Sequence, residues 1–577
     1  MKCLNYVLSL QTISRFLMKQ YITVLLGLLA MTATAGTDYQ LPIGFTPELA
    51  GNYGELRPNH FHAGLDFKTQ QTIGHPVYAF EDGYVWRAVI YAYGYGYALY
   101  VKHPKTGQMT VYGHLDAFRK DIAQAVLDYQ IEHEANNPDV YFSPADFPVK
   151  RGDEIAKSGN TGSSGGPHVH FEIRGIDNDE FYDPMPYFKD KITDTKAPRL
   201  SHFYLYPLGG LANGSSKAKQ TLTANAGKGK NKGKAAFTAW GKVGIGLKAY
   251  DYMDGQANKF GVKYVRVWVD GKQIFGFAEN AFFYDERRFT NSTTDYAAWK
   301  RQRSMIFKAF VEPGNKLRMI DHTLGNGILT IDKEKTYEVK IELEDCHGNK
   351  SEYAFQIKGK KGSVTEPKTK GTVVKAGETL HLVKDGMELD VPAGVFYTDL
   401  DIEVSHKPQT NKQRPCLSDI YTIGTDVMPM HDFGTLRIAV PETYDGDTAK
   451  LYLSDMTKGN LPLVSSRKMQ NGRLWVEANV RDLGQFAIGV DNSDPNISIV
   501  GKPVNSRIVV RITDAGSGIK SWRGEIDGKF IPFDMDNRGL YVARPKNFAI
   551  PKGNHTLTVT ATDRCGNTTT FTKRLWF

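Results

Sequence analysis

Cysteine is scarce, with four in 577 residues, and one of these, Cys3, sits in the extreme N-terminal segment. So sparse a usage excludes a disulfide-built scaffold. The remaining Cys346, Cys416 and Cys565 cannot all pair within one chain, although an oxidising compartment would permit one bridge. Long apolar runs are equally scarce. A short run, "VLLGLLAMTATA", ends at Ala33-Thr34-Ala35 after a charged start, which reads as a cleavable signal peptide over residues 1–35. The stronger signal begins at Met18-Lys19, which marks the residues before it as an upstream extension. The apolar core is shorter than the ~20 residues a spanning helix needs. With no second such run, the mature chain is expected to be soluble, without a stable membrane span, exported, and periplasmic or associated with the cell envelope. No cysteine follows the small-residue site, which argues against a lipid anchor.

Also absent is the H-E-x-x-H helix of many zinc proteases. The formal charge of +9 suits an anionic envelope polymer, but ordinary solubilising charge explains it nearly as well. The basic stretch "GKGKNKGK" lacks interleaved aromatics, so it reads as a loop and no nucleic-acid partner is expected.

What the sequence does have is histidine in company. In "SSGGPHVHFEIR", His168 and His170 are two apart at the start of a β-like run, so they project from one face while Val169 points to the other. In "NHFHAGLDF", His62, Gly64 and Asp66 share a face if the segment is extended, with Gly64 expected to leave open space between the other two; His62 and Asp66 are then placed to share an ion. Two histidines and one carboxylate meet the ligand count of a catalytic zinc site, which keeps three protein ligands and an open position. A third segment, "TVYGHLDAF", brings His114 to the end of another strand-like run.

These three ordered motifs resemble the lysostaphin-type, or LytM-domain, zinc metalloendopeptidases, which cleave peptidoglycan cross-link peptides. The family pattern of H-x-x-x-D, then G-H-L, then H-x-H reads here as His62 to Asp66, Gly113-His114-Leu115 and His168-Val169-His170, within about residues 41–187. The resemblance implies that His62, Asp66 and His170 bind Zn2+ and that His114 and His168 are catalytic, while His60 matches no family ligand. A zinc ion held by such a set activates water near neutral pH. Which histidine removes the proton stays open.

The expected fold is mainly β: a signal peptide (1–35), a LytM-type β-sheet peptidase domain (36–195) with a helical insertion at 120–135, and three β-sandwich-like domains (196–362, 363–493 and 494–577). The first and last of the three are expected to be immunoglobulin-like. The basis is a repeat: "KYVRVWVDGKQIF" from Lys263 resembles "KSWRGEIDGKFIPF" from Lys520, each followed by an alternating strand and an Asp-x-x-Gly-Asn turn, Asp345 to Asn349 and Asp563 to Asn567. One Asp with one Asn per turn is a thin ligand set for calcium, so these read as Asx turns. The tyrosine stripe "YAYGYGYALY" reads as strand and turn, and the insertion as an amphipathic helix, with Ile122, Val126 and Tyr129 near its buried face, walling the substrate groove.

The expected function is an exported zinc metalloendopeptidase acting on peptidoglycan, its C-terminal β-domains serving for positioning or protein contact. The rivals are a catalytically silent LytM-like regulator of another wall hydrolase, and a metalloprotease acting on proteins or secreted peptides. Silent members lose zinc ligands, whereas all five expected residues are present here.

Overall fold

A computed structural model describes residues 39–577 apart from 225–234, 365–367, 410–415, 505–506, 537 and 549. The expected signal peptide and basic loop lie outside the described residues. Strands dominate, and helices are few and short.

The N-terminal region is built on a nine-stranded sheet. Its centre is the strand His168–Gly175, flanked by the antiparallel strands Leu65–Lys68 and Gln108–Leu115. Beyond the latter follow Tyr97–His103 and Gly83–Ile90. Alternation decides which face does what. Val169, Phe171 and Ile173 pack into one core with Leu65, Phe67 and Tyr112, and with Val77, Phe118 and Ile155 of a small second sheet. His168, His170, Glu172 and Arg174 take the opposite face by the period-two rule.

The insertion is a helix, Lys120–Glu132, that buries Ile122, Val126 and Gln130; Tyr129 is only partly buried. Its C-terminal end does not stand free beside a groove but is taken up by the last domain of the chain. Asn136 donates to the Trp522 carbonyl and accepts from the Phe533 amide (2.8 and 2.9 Å), Glu134 pairs with Arg523, and Asp534 accepts from Gln130 and Tyr97. The end of the helix expected to wall the substrate groove is thus, in part, a contact surface for the last domain.

After residue 195, a ten-stranded sheet is joined through the long strand Ala235–Tyr250, which pairs with Arg199–Ala212 on one side and, in parallel, with Lys350–Gly359 on the other. Its core takes in Tyr53, Phe61, Ala63 and Phe181 of the peptidase region. Next comes a sandwich of two five-stranded sheets around one core, then one of two four-stranded sheets. The internal repeat is visible as topology. Lys272–Ala278, Tyr264–Val269, Thr336–Glu344 and Lys350–Gly359 lie in the same order as Lys529–Ile531, Ile519–Ile526, Asn554–Asp563 and Thr568–Trp576. Both tight hairpins turn on an Asp-Gly pair at positive φ, Asp270-Gly271 and Asp527-Gly528. Cys346, Cys416 and Cys565 form no disulfide with one another.

Candidate metal centre

Strand register builds the site. Asp66 lies directly across from His170, and Gly113 pairs with His170 on its other side. His62 arrives from the loop after the short strand His60–Phe61. Gly64 does not leave room for an ion: a Cβ there would fall 2.1 Å from the Phe171 carbonyl oxygen, so glycine permits the loop to press against the central strand. His114 ends its strand at φ 60°, an uncommon conformation for a side-chain-bearing residue, held by its amide donating to the Tyr95 carbonyl.

Three donor atoms converge. His62 Nε2 lies 3.0 Å from Asp66 Oδ1 and 3.0 Å from His170 Nδ1, and His170 Nδ1 lies 2.8 Å from Asp66 Oδ1. All three residues are buried. The other nitrogen of each ring is occupied by a group that can only accept. His62 Nδ1 donates to the Asn52 carbonyl (2.7 Å), and His170 Nε2 donates to the Glu172 carboxylate (2.8 Å). In its neutral form each ring is thereby held in the tautomer that turns a lone pair inward, the arrangement typical of metal-ligating histidines.

His114 and His168 follow the same rule. Their Nδ1 atoms donate to the carbonyls of Thr161 and Gly166 (both 2.8 Å), leaving Nε2 as the remaining ring nitrogen. His168 Nε2 is 3.5 Å from Asp66 Oδ1, and the His114 and His168 rings are 4.6 Å apart. His60 lies apart, bonded to the Pro58 carbonyl.

Electrostatics separates the histidines. Burial, with the Arg57 charge, pushes His62 down to about 4, and burial with His168 and His170 nearby pushes His114 down to about 3. Both rings are neutral at pH 7. Burial also acts against charge on His170, but hydrogen bonds to Asp66 and Glu172 outweigh it and raise that ring to about 9. Asp66 is buried as well, yet the surrounding histidines hold it well below the usual carboxylate range. Two imidazoles and a carboxylate, all deeply buried with lone pairs converging, fit a borderline-soft divalent metal such as zinc.

Several supporting groups escaped the sequence reading. Arg57 donates to Asp66 Oδ2 (2.7 Å), leaving Oδ1 for the cluster. Glu172 is fully buried and is shared by His170, Arg174 and Tyr95. Its signal was present, because Glu172 has the same strand parity as the two histidines. Tyr95 belongs to the stripe that reads as strand and turn, with nothing to tie it to the site. Residues 91–96 instead form a turn, in which Gly96 and Gly162 at positive φ allow two loops to touch, and the Tyr95 ring lies 5.4 Å from that of His170. The loop carrying His62 is backed from the following domain: Phe282 packs on Tyr53, Phe61 and Phe181, and its backbone bridges Phe181.

Buried imidazoles and a carboxylate converging on one point of an antiparallel sheet, with two more histidines at its rim, define a metal-site β domain. Residues 60–131 match the model of peptidase family M23. Members of that family are zinc-dependent metallopeptidases. Residues 371–491 match the Zu5-like domain. An uncharacterised metalloprotease of Haemophilus influenzae is 36% identical over 120 residues, which is 21% of this chain and 19% of that protein, so the match spans about a fifth of the relative's length. Among solved structures, the lysostaphin catalytic domain from Staphylococcus simulans is similar (25% identity, 25% of this chain and 92% of that one, TM-score 0.19). So is a mutant catalytic domain of the prophage-encoded M23 protein EnpA from Enterococcus faecalis (24% identity, 25% and 92% coverage, TM-score 0.19).

Proposed function

We propose that this chain is an exported zinc endopeptidase that hydrolyses amide bonds in peptidoglycan cross-link peptides. The observation that carries the reading is the tautomer pattern: four histidines each spend one ring nitrogen on an obligate acceptor, which leaves the other for the centre. His62, Asp66 and His170 would hold the ion, which would supply Lewis acidity to activate water and polarise the scissile carbonyl. Arg57 fixes the Asp66 carboxylate and Glu172 fixes the His170 ring, so the ligands are oriented before substrate arrives.

His114 and His168 are the catalytic residues. The Nε2 of His114 is unprotonated at neutral pH and can take a proton from the attacking water. Nε2 of His168, 3.5 Å from the ligand Asp66, is placed to stabilise the oxyanion or to pass the proton to the leaving amine. The phenol of Tyr95 stays protonated, because burial and Glu172 hold it well above its ordinary value. The intact donor set favours an active enzyme over a silent regulator. The β-domains after residue 195 position the peptidase and contact the wall or its proteins.

Digestion of purified sacculi with zinc-loaded protein, followed by mass spectrometry of the released muropeptides, tests this. New cleaved cross-links, absent with His168→Ala, are expected. Intact cross-links with fully zinc-loaded wild type would favour the regulator, and cleavage confined to proteins would replace the substrate.

A further inference from the structure

The repeat carries more than shared topology. In its first copy, Asp194, Asp251 and Asp345 are all buried, and each offers a carboxylate oxygen within 4.8 Å of the others. In its second copy, Asp491, Asp514 and Asp563 bring their carboxylate oxygens equally close, with Asp491 and Asp563 buried and Asp514 half-buried. The three positions correspond one by one. Asp345 and Asp563 open the Asp-x-x-Gly-Asn turns, and each accepts two backbone amides of its turn plus the Asn side chain. Asn349 and Asn567 reach back to the carbonyls of Asp194 and Asp491 (both 3.0 Å). Asp194 and Asp491 each stand four residues before a proline, and Asp251 and Asp514 each four before a glycine.

Buried carboxylates without counter-charge are costly, and natural proteins pair them or place a metal among them. Among the described residues no lysine or arginine forms an ion pair with Asp194, Asp251 or Asp345. Asp251 is 1% exposed and Asp194 7% exposed, yet Asp251 Oδ1 and Asp194 Oδ2 have no hydrogen-bond partner. In the second copy, Asp514 Oδ1 is likewise buried and unpartnered. The same unpartnered oxygen at the same position of two copies, Asp251 and Asp514, points to a ligand for both. Both clusters also lie at junctions. Asp194 and Asp491 are in the linkers that enter the two repeats; the first turn meets the peptidase region through His347 Nε2 and the Ile192 carbonyl (2.7 Å), and the second meets the preceding sandwich through Lys450.

We infer that the two three-aspartate clusters are calcium sites that lock each repeat onto the domain before it. An all-oxygen donor set selects a hard cation, and the carboxylates would be joined by main-chain carbonyls and water to reach the six to eight oxygens calcium takes. A thin ligand set seen turn by turn becomes sufficient when linker, loop and turn are brought together. The role is structural, since an ion bound to three separate segments restrains the hinge between domains.

The test uses the full chain, stripped of metal and reloaded with one equivalent of zinc. It is equilibrated with about 1 mM calcium chloride, the range of extracellular calcium modules, and its metals are counted by elemental analysis. Two calcium ions per chain are expected for wild type and one for each of Asp251→Asn and Asp514→Asn, with zinc unchanged. Should either variant fail to fold, thermal unfolding of wild type replaces it: the midpoint rises with calcium chloride and not with sodium chloride of equal ionic strength. Wild type that binds no calcium, variants that keep both ions, or a midpoint indifferent to calcium would each overturn the inference.

Discussion

The histidine centre and the aspartate clusters each gather three donors from more than one segment of the chain, but they solve opposite problems. At the centre, every imidazole is tied to an acceptor on its far side, Arg57 neutralises one oxygen of Asp66, and the ligands are oriented by the sheet and the second domain. In the clusters, oxygens are left without partners, and no lysine or arginine of the described residues forms an ion pair with the first of them. The first arrangement suits an ion that must be held at fixed geometry with room for chemistry. The second suits an ion whose binding itself ties three segments together. Donor chemistry separates them further, because nitrogen favours zinc and oxygen alone favours calcium.

The sharpest way to break this contrast is to remove one donor from the centre. His62→Ala or Asp66→Ala is expected to abolish both zinc binding and hydrolysis, while leaving calcium content untouched; His60→Ala should leave both intact. Loss of calcium from the centre variants, seen by the same elemental analysis, would show that the two kinds of site are not independent. Next in size, His168→Ala and His114→Ala should keep zinc but lose roughly 10²- to 10⁴-fold in kcat on a cross-link peptide, the usual range for a positioned acid or base. Wild-type turnover in either variant would remove that residue from the reaction.

The support of the centre can be probed without touching a ligand. Phe282→Ala deletes a fully buried ring packed on the loop that carries His62, and such truncations cost about 3–5 kcal/mol. Unfolding midpoints should fall accordingly, with zinc affinity reduced in parallel; a destabilised protein with unchanged zinc affinity would show that the second domain does not brace the site. Smallest is Glu172→Gln, which keeps the shape but weakens the acceptor for His170 Nε2. About a 10- to 100-fold loss of zinc affinity is expected, measured by competition with a chromophoric chelator.

These contrasts also mark what the amino-acid string reveals. His168 and His170 could be placed on one face because period two is a local rule, and the same rule would have given Glu172 had the count continued two residues further. The repeat was legible because two hairpins and two turns recur as short strings, and the structure carries them in the same sheet order. Arg57 and Asn52 were not legible: they meet the ligands through a loop that folds back, with no periodicity to announce it. Gly64 was misread because a missing side chain can mean either open space or close contact, and only the position of Phe171 decides. The insertion was correctly a helix, but its partner begins nearly four hundred residues later, and no local pattern links Asn136 to Trp522. Asp345 and Asp563 read as Asx turns when each turn is taken alone, and nothing local ties them to the other four aspartates. Aligning the whole of both copies, with their prolines and glycines, would have set three aspartates against three.

The most direct test is a crystal of the full chain grown with zinc and calcium, with anomalous difference maps collected on either side of the zinc absorption edge. A single zinc peak is expected between His62, Asp66 and His170, with none at either aspartate cluster. A map with no zinc at the histidines, or with zinc at the aspartates instead, would contradict the account.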